Sequence, residues 1–360
     1  MEPDDDASAA MSGCCAWCVG LFSAQPPRNR EVQPLMAEED EAAEEGSKLA
    51  EYAVGRALGE GNFAVVKLGT HRASGRRVAL KLIDRVHSDA AAVEHEVNVL
   101  QKVGQHRHIC SLVDSFELTK SWVMVLELVS GGEVFDRLCA AGPYTESDAA
   151  HTIRQIAEAL AHAHSLGVAH RDIKPENLLL VNSSEHADVK LCDFGLACVL
   201  DEAGGVCVRN GRVPGTISCM APEAVREEAH GAAVDVWALG IVLHILLSGR
   251  NPLDPNGRAS EAELTRRIAS GKLGAEIGGG GLKCWEHVSR AAVDAVRFML
   301  NPSAAHRPTA AQLLQLSWLQ GAAPVAQLPG SNDSLKAFNR ARRHWRALGH
   351  VVRAGSLGRL

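Results

Sequence analysis

The residues of this chain best suited to chemistry come in an ordered series. Val78-Ala79-Leu80-Lys81 is an apolar run that presents a single lysine, a compact charge that can be aimed at a phosphate. Glu96, further on, can pair with it. Upstream, Gly59-Glu60-Gly61-Asn62-Phe63-Ala64 puts two glycines near a strand turn, where backbone N–H groups can approach an anionic group closely. Downstream lie His170-Arg171-Asp172-Ile173-Lys174-Pro175-Glu176-Asn177 and Asp193-Phe194-Gly195. They offer Asp172 as a base, and Asn177 and Asp193 as hard oxygen donors of the kind Mg²⁺ takes alongside waters and phosphate oxygens. Taken singly, each piece also has a plainer reading, as a tight turn, a surface lysine or a chance triplet. The order of the whole series is far less open to chance.

These residues need elements to hold them. Tyr52–Gly69 and Arg77–Ile83 read as short strands, rich in Val and Leu and bounded by Gly, and Trp122–Val129 as a further apolar strand. Ala90–Val103 is predicted as a helix, from Val93, Val97 and Leu100 at helical spacing. After Gly131-Gly132 the pattern turns helical, over Ser147–Leu166, Ala233–Leu247, Glu261–Ser270 and Val288–Leu300. Strands first and helices second predict an α+β fold of two unequal lobes, 52–129 and 130–319. The hinge falls at Val129–Gly132, with a ligand cleft between the lobes.

Composition sets limits. With 46% hydrophobic residues among 360, the chain is globular rather than disordered or fibrous. A balance of 37 Lys+Arg against 43 Asp+Glu, net −6, argues against a nucleic-acid binder working by bulk charge. The charge is unevenly spread: residues 1–51 hold 12 acids and three bases, and residues 320–360 one acid and seven bases. Pro26-Pro27, Pro34 and the acidic block Glu38–Glu45 mark 1–51 as a disordered acidic tail. The first ten residues are acidic, unlike a secretory signal, so the ten cysteines are expected to be reduced thiols in a cytoplasmic protein. Cys14, Cys15 and Cys18, in a short apolar segment, read either as a reversible palmitoylation site that would add membrane association, or as an inconsequential patch. The longest apolar run, Val236–Leu247, suits a buried helix and is too short to span a bilayer.

Closed by Ala221-Pro222-Glu223, the series resembles the eukaryotic protein kinases over about residues 52–319. The resemblance implies a bilobal kinase fold and transfer of the ATP γ-phosphate to protein Ser/Thr with Mg²⁺. It implies that the backbone of Gly59, Glu60, Gly61, Asn62, Phe63 and Ala64 covers the ATP phosphates, while Lys81 grips them and pairs with Glu96. Asp172 would accept the substrate hydroxyl proton, with Lys174 assisting near the γ-phosphate, and Asn177 and Asp193 would hold Mg²⁺. Leu126 falls at the gatekeeper position, Glu127 and Val129 offer hinge backbone to adenine, and Leu58, Val66, Ala79 and Leu179 match its apolar walls. Glu223 with Arg307, and Asp235 beneath the catalytic loop, match structural positions. Lys174 follows the Ser/Thr-kinase pattern. Glu133 and Glu176 match the acids that, in basophilic kinases, receive an Arg upstream of the phosphosite; the alternative leaves Glu133 to the ribose and Glu176 to its neighbours.

The chain departs from the family in places. Ala64 replaces the third loop glycine. Gly215-Thr216-Ile217-Ser218-Cys219 stands where Gly-Thr-Pro-Gly-Tyr is usual; Thr216, which in the family contacts Asp172 and Lys174, is kept. Leu196–Pro214 contains no Ser, Thr or Tyr, so activity without phosphorylation of this loop is expected. Past Trp318-Leu319, residues 320–360 form a basic tail. Leu335, Phe338, Ala341, Trp345, Leu348 and Val352 share one side of a helix, and Arg342 and Arg353 intrude on it. A basic amphipathic helix with bulky anchors is calmodulin-target-like or membrane-surface-like. Lys336–Arg343 also resembles the regulatory segment of the calcium/calmodulin-dependent kinases. Leu335–Val352 is therefore expected to inhibit the cleft and to be lifted off by calmodulin. The alternatives are a constitutively active kinase with an adventitious tail, and a pseudokinase scaffold.

Overall fold

The computed structural model describes residues 48–343, apart from 62, 143, 202–216, 272, 274–284, 329 and 331. Strands β1 (Tyr52–Glu60), β2 (Ala64–His71), β3 (Arg77–Asp84), β4 (Leu112–Glu117) and β5 (Ser121–Glu127) make one antiparallel sheet in the order β1-β2-β3-β5-β4. Central β3 is buried on both faces. Its period-2 alternation sends Val78, Leu80 and Leu82 into a core with Leu49, Tyr52, Val123 and Val125. The opposite face presents Ala79 and Lys81 to a cleft. Helix α1 (Ala90–Val103) has the bounds read from the sequence. Asp89 caps it by accepting the Ala91 N–H, and Gly104, with φ 66°, ends it. Strand β4 escaped sequence analysis, because Asp114, Ser115 and Glu117 dilute its apolar pattern, as befits a sheet edge.

The crossing to the second lobe depends on glycine. The Gly131 N–H donates to the Leu180 carbonyl at 2.8 Å, and a Cβ on Gly131 would overlap the Asn182 carbonyl. Beyond it run α2 (Val134–Ala141), α3 (Glu146–Ser165), β6 (Val168–Ala169), β7 (Leu178–Leu180), β8 (Val189–Leu191), β9 (Cys198–Val199), α4 (Pro222–Val225), α5 (Ala233–Ser248), α6 (Glu261–Ala269), α7 (Arg290–Met299) and α8 (Ala310–Leu313). α3 opens on a capping box between Thr145 and Asp148. α5 is apolar all round and buried along its length, so it forms the lobe's spine. The strand pairs β6–β9 and β7–β8 are two or three residues long, too short to leave a periodicity in the sequence.

The last helix among the described residues, α9, covers residues 332–343 and lies against this lobe. Its first turn comes so close that a Cβ on Gly249, where φ is 69°, would overlap Ser334. No helix among the described residues is long and apolar enough to cross a membrane. Cys110, Cys139, Cys192 and Cys219 are free, whereas Cys198 is disulfide-bonded, which corrects the expectation of reduced thiols throughout. Cys14, Cys15 and Cys18, Asn62, Thr216, and the tail residues Trp345, Leu348, Val352 and Arg353 lie outside the described residues.

Candidate active site

Lys81 reaches from β3 to Glu96 on α1, with Nζ 2.6 Å from Oε1 and 2.9 Å from Oε2. The antiparallel register sets Lys81 between Val66 and Met124, which fixes the point from which it extends. Burial alone would pull the ammonium's pKa down; the Glu96 and Asp193 carboxylates outweigh it and hold it above the ordinary value. Asp193 adopts φ 65°, a left-handed conformation uncommon for a residue with a side chain. Burial would raise its carboxyl pKa, but Lys81, then Lys174 and His170, keep it below the usual carboxylate range. Asp193 is therefore an ionised oxygen donor fixed at the cleft floor. Phe194 behind it is buried and meets His170 edge-on, with ring centroids 4.6 Å apart. The His95 ring donates to the Ala197 carbonyl at 2.9 Å, tying α1 to the chain just past Asp193-Phe194-Gly195.

The loop between β6 and β7 holds the second group of residues. Lys174 Nζ lies 2.6 Å from Asp172 Oδ2. The Asn177 amide donates to the Asp172 carbonyl at 2.8 Å and to Oδ2 at 3.1 Å. The carboxylate of Asp235, on α5 and fully buried, accepts the backbone N–H groups of His170 and Arg171 at 2.8 and 2.7 Å, and the His164 ring at 2.8 Å. Those bonds set the loop's backbone, including φ 68° at Arg171. Glu223 and Arg307 form the expected buried pair, with Arg307 Nη2 2.7 Å from Glu223 Oε2.

Of the sequence-derived cleft residues, Val66, Ala79, Lys81, Glu96, Leu126, Glu127, Val129, Glu176, Asn177, Leu179 and Asp193 line one cavity. It holds about 610 Å³ of atom-free space, open mouth included. Gly59, Glu60, Gly61 and Ala64 make the β1–β2 turn above it, closed by the Gly61 N–H on the Ala64 carbonyl at 2.7 Å. Leu58 is half-buried on β1 without reaching the cavity lining, and Phe63 stacks on His87, with ring centroids 6.1 Å apart. The sequence reading missed Leu100, Cys110 and Cys192 in the lining. Leu100 was legible as part of the apolar face of α1; neither cysteine stood in a motif that drew attention.

The protein kinase domain family matches residues 52–319 of this sequence. The chain belongs to the protein kinase family. Calcium/calmodulin-dependent protein kinase type 1B of Rattus norvegicus is 37% identical over 300 residues, covering 82% of this chain and 83% of that protein. Calcium/calmodulin-dependent protein kinase cmkB of Emericella nidulans is 35% identical over 308 residues, 83% of this chain and 74% of the relative. Human serine/threonine-protein kinase DCLK2 is 34% identical over 298 residues, which make up 82% of this chain and 37% of that protein. The protein is thus an ATP- and Mg²⁺-dependent serine/threonine kinase of the calcium/calmodulin-dependent group, with the bilobal fold.

One contact of this kinase links its C-terminal helix to the cleft. On α9, Leu335, Phe338, Asn339 and Arg342 follow helical spacing and face the large lobe. Arg342 Nη2 lies 2.5 Å from Glu133 Oε2, and Nη1 lies 2.9 Å from Glu176 Oε1. Its guanidinium also stands 6.0 Å from the Phe135 ring centroid, and Phe338 packs on the same ring at 6.3 Å. Asp136 takes the Asn339 amide at 2.8 Å and pairs with Arg343. The residue that spoiled the apolar face in sequence is the one that fills the acid pocket. Beside it, α9 walls a wide groove with Lys174, Ser218, Cys219, Asn251 and Asp254. Burial pushes the Cys219 thiol up to about 12, so it stays protonated there.

Proposed function

We propose that this kinase phosphorylates proteins carrying an arginine upstream of the target Ser or Thr, and that its own α9 occupies the site for that arginine until calmodulin removes it. The observation that carries this reading is Arg342 between Glu133 and Glu176. Two carboxylates around one guanidinium make an arginine receptor, and an arginine from the tail or from a substrate satisfies it equally. On this reading Glu133 serves arginine rather than the ribose. Names of relatives that specify calcium/calmodulin dependence support the calmodulin half. So does the outward side of α9, where Lys336 and Arg340 are exposed to an acidic partner.

In the proposed mechanism the adenine enters between Val66, Ala79 and Leu179, against the hinge backbone of Glu127 and Val129. Lys81, kept charged by Glu96, holds phosphate oxygens. Asp172 accepts the proton of the substrate hydroxyl, and Lys174, against its carboxylate, offers positive charge where the γ-phosphate transfers. The donor set suits Mg²⁺: Asp193 is held ionised, and Asn177 spends its amide N–H on Asp172, leaving its oxygen for the cation. Bound there, Mg²⁺ would neutralise phosphate charge. Asp235 keeps the loop backbone in place and so orients Asp172.

The test is phosphate transfer from labelled ATP to two peptides that differ only by Arg or Ala upstream of the Ser. The expected result is a preference for the Arg peptide, low activity of the full chain, and stimulation by calmodulin with calcium but not with chelator. Equal use of both peptides would contradict the arginine receptor, and calcium-independent full activity would contradict the control by calmodulin.

A further inference from the structure

Two thiols that the mechanism does not use stand side by side in the floor of the cleft. Cys110 follows Ile109, and Cys192 follows Leu191; Ile109 and Leu191 form a parallel bridge. The Cys110 N–H donates to the Leu191 carbonyl at 2.9 Å, and the Leu191 N–H to the His108 carbonyl at 2.9 Å. A parallel bridge makes the next residues of both segments neighbours, about 4.8 Å apart by strand spacing. Cys192 is further pinned by its own N–H, which donates to the Asn177 carbonyl at 2.9 Å. The two side chains share an apolar cluster with Val129 and Leu179. Both are free, and both line the cavity. Cys192 directly precedes Asp193.

Each sulfur has a weak carbonyl partner. Cys110 Sγ points at the Glu127 carbonyl at 3.6 Å, and Cys192 Sγ at the Lys190 carbonyl at 3.8 Å. These contacts are long, so they hold the thiols loosely. Two soft sulfurs on neighbouring backbone positions, pinned from both sides and lining one cavity, suit a single soft atom that bonds to both.

We infer that Cys110 and Cys192 form a dithiol site in the cleft that captures a trivalent organoarsenical across both sulfurs. The reaction balances without any oxidant. The two S–H bonds break, two As–S bonds form, and the oxygen of the arsine oxide leaves as water with both protons. No electrons are transferred, and arsenic stays trivalent. The bridged aryl arsenic occupies space beside Val129 and Leu179 that the proposed nucleotide placement gives to adenine. Filling the site therefore inhibits the kinase in competition with ATP, a consequence that rests on that placement. Capture by two sulfurs exceeds capture by either alone by about 10²–10⁴-fold, through effective concentration.

The test uses the full chain with Cys14, Cys15 and Cys18 replaced by serine, since Cys15-x-x-Cys18 is a second potential dithiol. Phenylarsine oxide is added, and native mass spectrometry reads uptake and composition. The expected result is one phenylarsenic per chain, added with loss of water, removed by 2,3-dimercaptopropanol and slowed by ATP with Mg²⁺. Cys110→Val and Cys192→Val should each lower uptake at least tenfold. An adduct that retains its arsenic hydroxyl, which signals one sulfur only, overturns the site without reference to any variant. So does full uptake by both valine variants. Uptake by the pair with no slowing by ATP would leave the dithiol site standing and overturn the nucleotide placement instead.

Discussion

Two buried charge pairs of this kinase differ in where their partners come from. Lys81 and Glu96 lie 15 residues apart, on a strand and the helix that follows it, and both belong to the small lobe. Arg342 and Glu133 lie 209 residues apart, and the arginine belongs to a helix laid on the finished lobe from outside. Both are nearly dry: the Lys81 and Glu96 side chains are 11% and 9% exposed, and those of Arg342 and Glu133 9% and 0%. Removing one partner of such a pair strands a charge, at a cost of about 3–5 kcal/mol. Inside the small lobe that cost locks the two together. At the acid pocket, on the proposed function, it does not, because a substrate arginine would replace Arg342 and leave no charge stranded. The proposed function thus makes the first pair machinery and the second an exchangeable seal.

The largest effect expected from this contrast is at the first pair. Lys81→Met should lower phosphate transfer by about 10²–10³-fold, the range for loss of one preorganised charged contact. It should also lower the melting temperature, because Glu96 is left buried and alone. Arg342→Ala should act in the opposite sense and raise calcium-independent activity. Truncating a buried charge pair at an interface costs about 2–5 kcal/mol, so release should exceed tenfold, read as initial rate without calmodulin.

Asp235→Asn should cost about 1–3 kcal/mol, because one of the bonded N–H groups or His164 loses its acceptor. This effect also depends on pH. Burial would raise the Asp235 carboxyl, but the His164 hydrogen bond and charge outweigh it, and the folded pKa lies below 3.8. The contribution is then fully present above about 3.8 and is lost as pH falls through the lower, folded value. The melting-temperature gap between the native chain and Asp235→Asn should be full at neutral pH and narrow below about 3.8. Phe338→Ala should be mildest. Loss of its ring contact with Phe135 is worth about 0.5–1.5 kcal/mol, so calcium-independent activity should rise less than with Arg342→Ala.

The first pair and its neighbours were legible in the sequence because each residue sits in a short run whose types and spacing imply chemistry. The helix Ala90–Val103 was legible for a related reason: its apolar face is continuous and its ends are capped. The acid pocket was legible only in part. Glu133 and Glu176 stood in motifs, while Asp136 and Asn339 gain their meaning from closure over 203 residues, which no local pattern carries. Arg342 interrupts an apolar face in the sequence because its partners, Glu133 and Glu176, are acidic and lie far away along the chain. Leu58 and Phe63 were carried over from the family pattern; Leu58 is half-buried outside the cavity lining, and the Phe63 ring stacks on His87.

In the proposed function α9 and a substrate arginine compete for Glu133 and Glu176. The most direct measurement is the KM for an Arg-containing peptide, without calmodulin, for the native chain and for Arg342→Ala at saturating ATP. KM should fall at least tenfold in the variant, and an otherwise identical Ala peptide should show no comparable fall. An unchanged KM for the Arg peptide would contradict that competition.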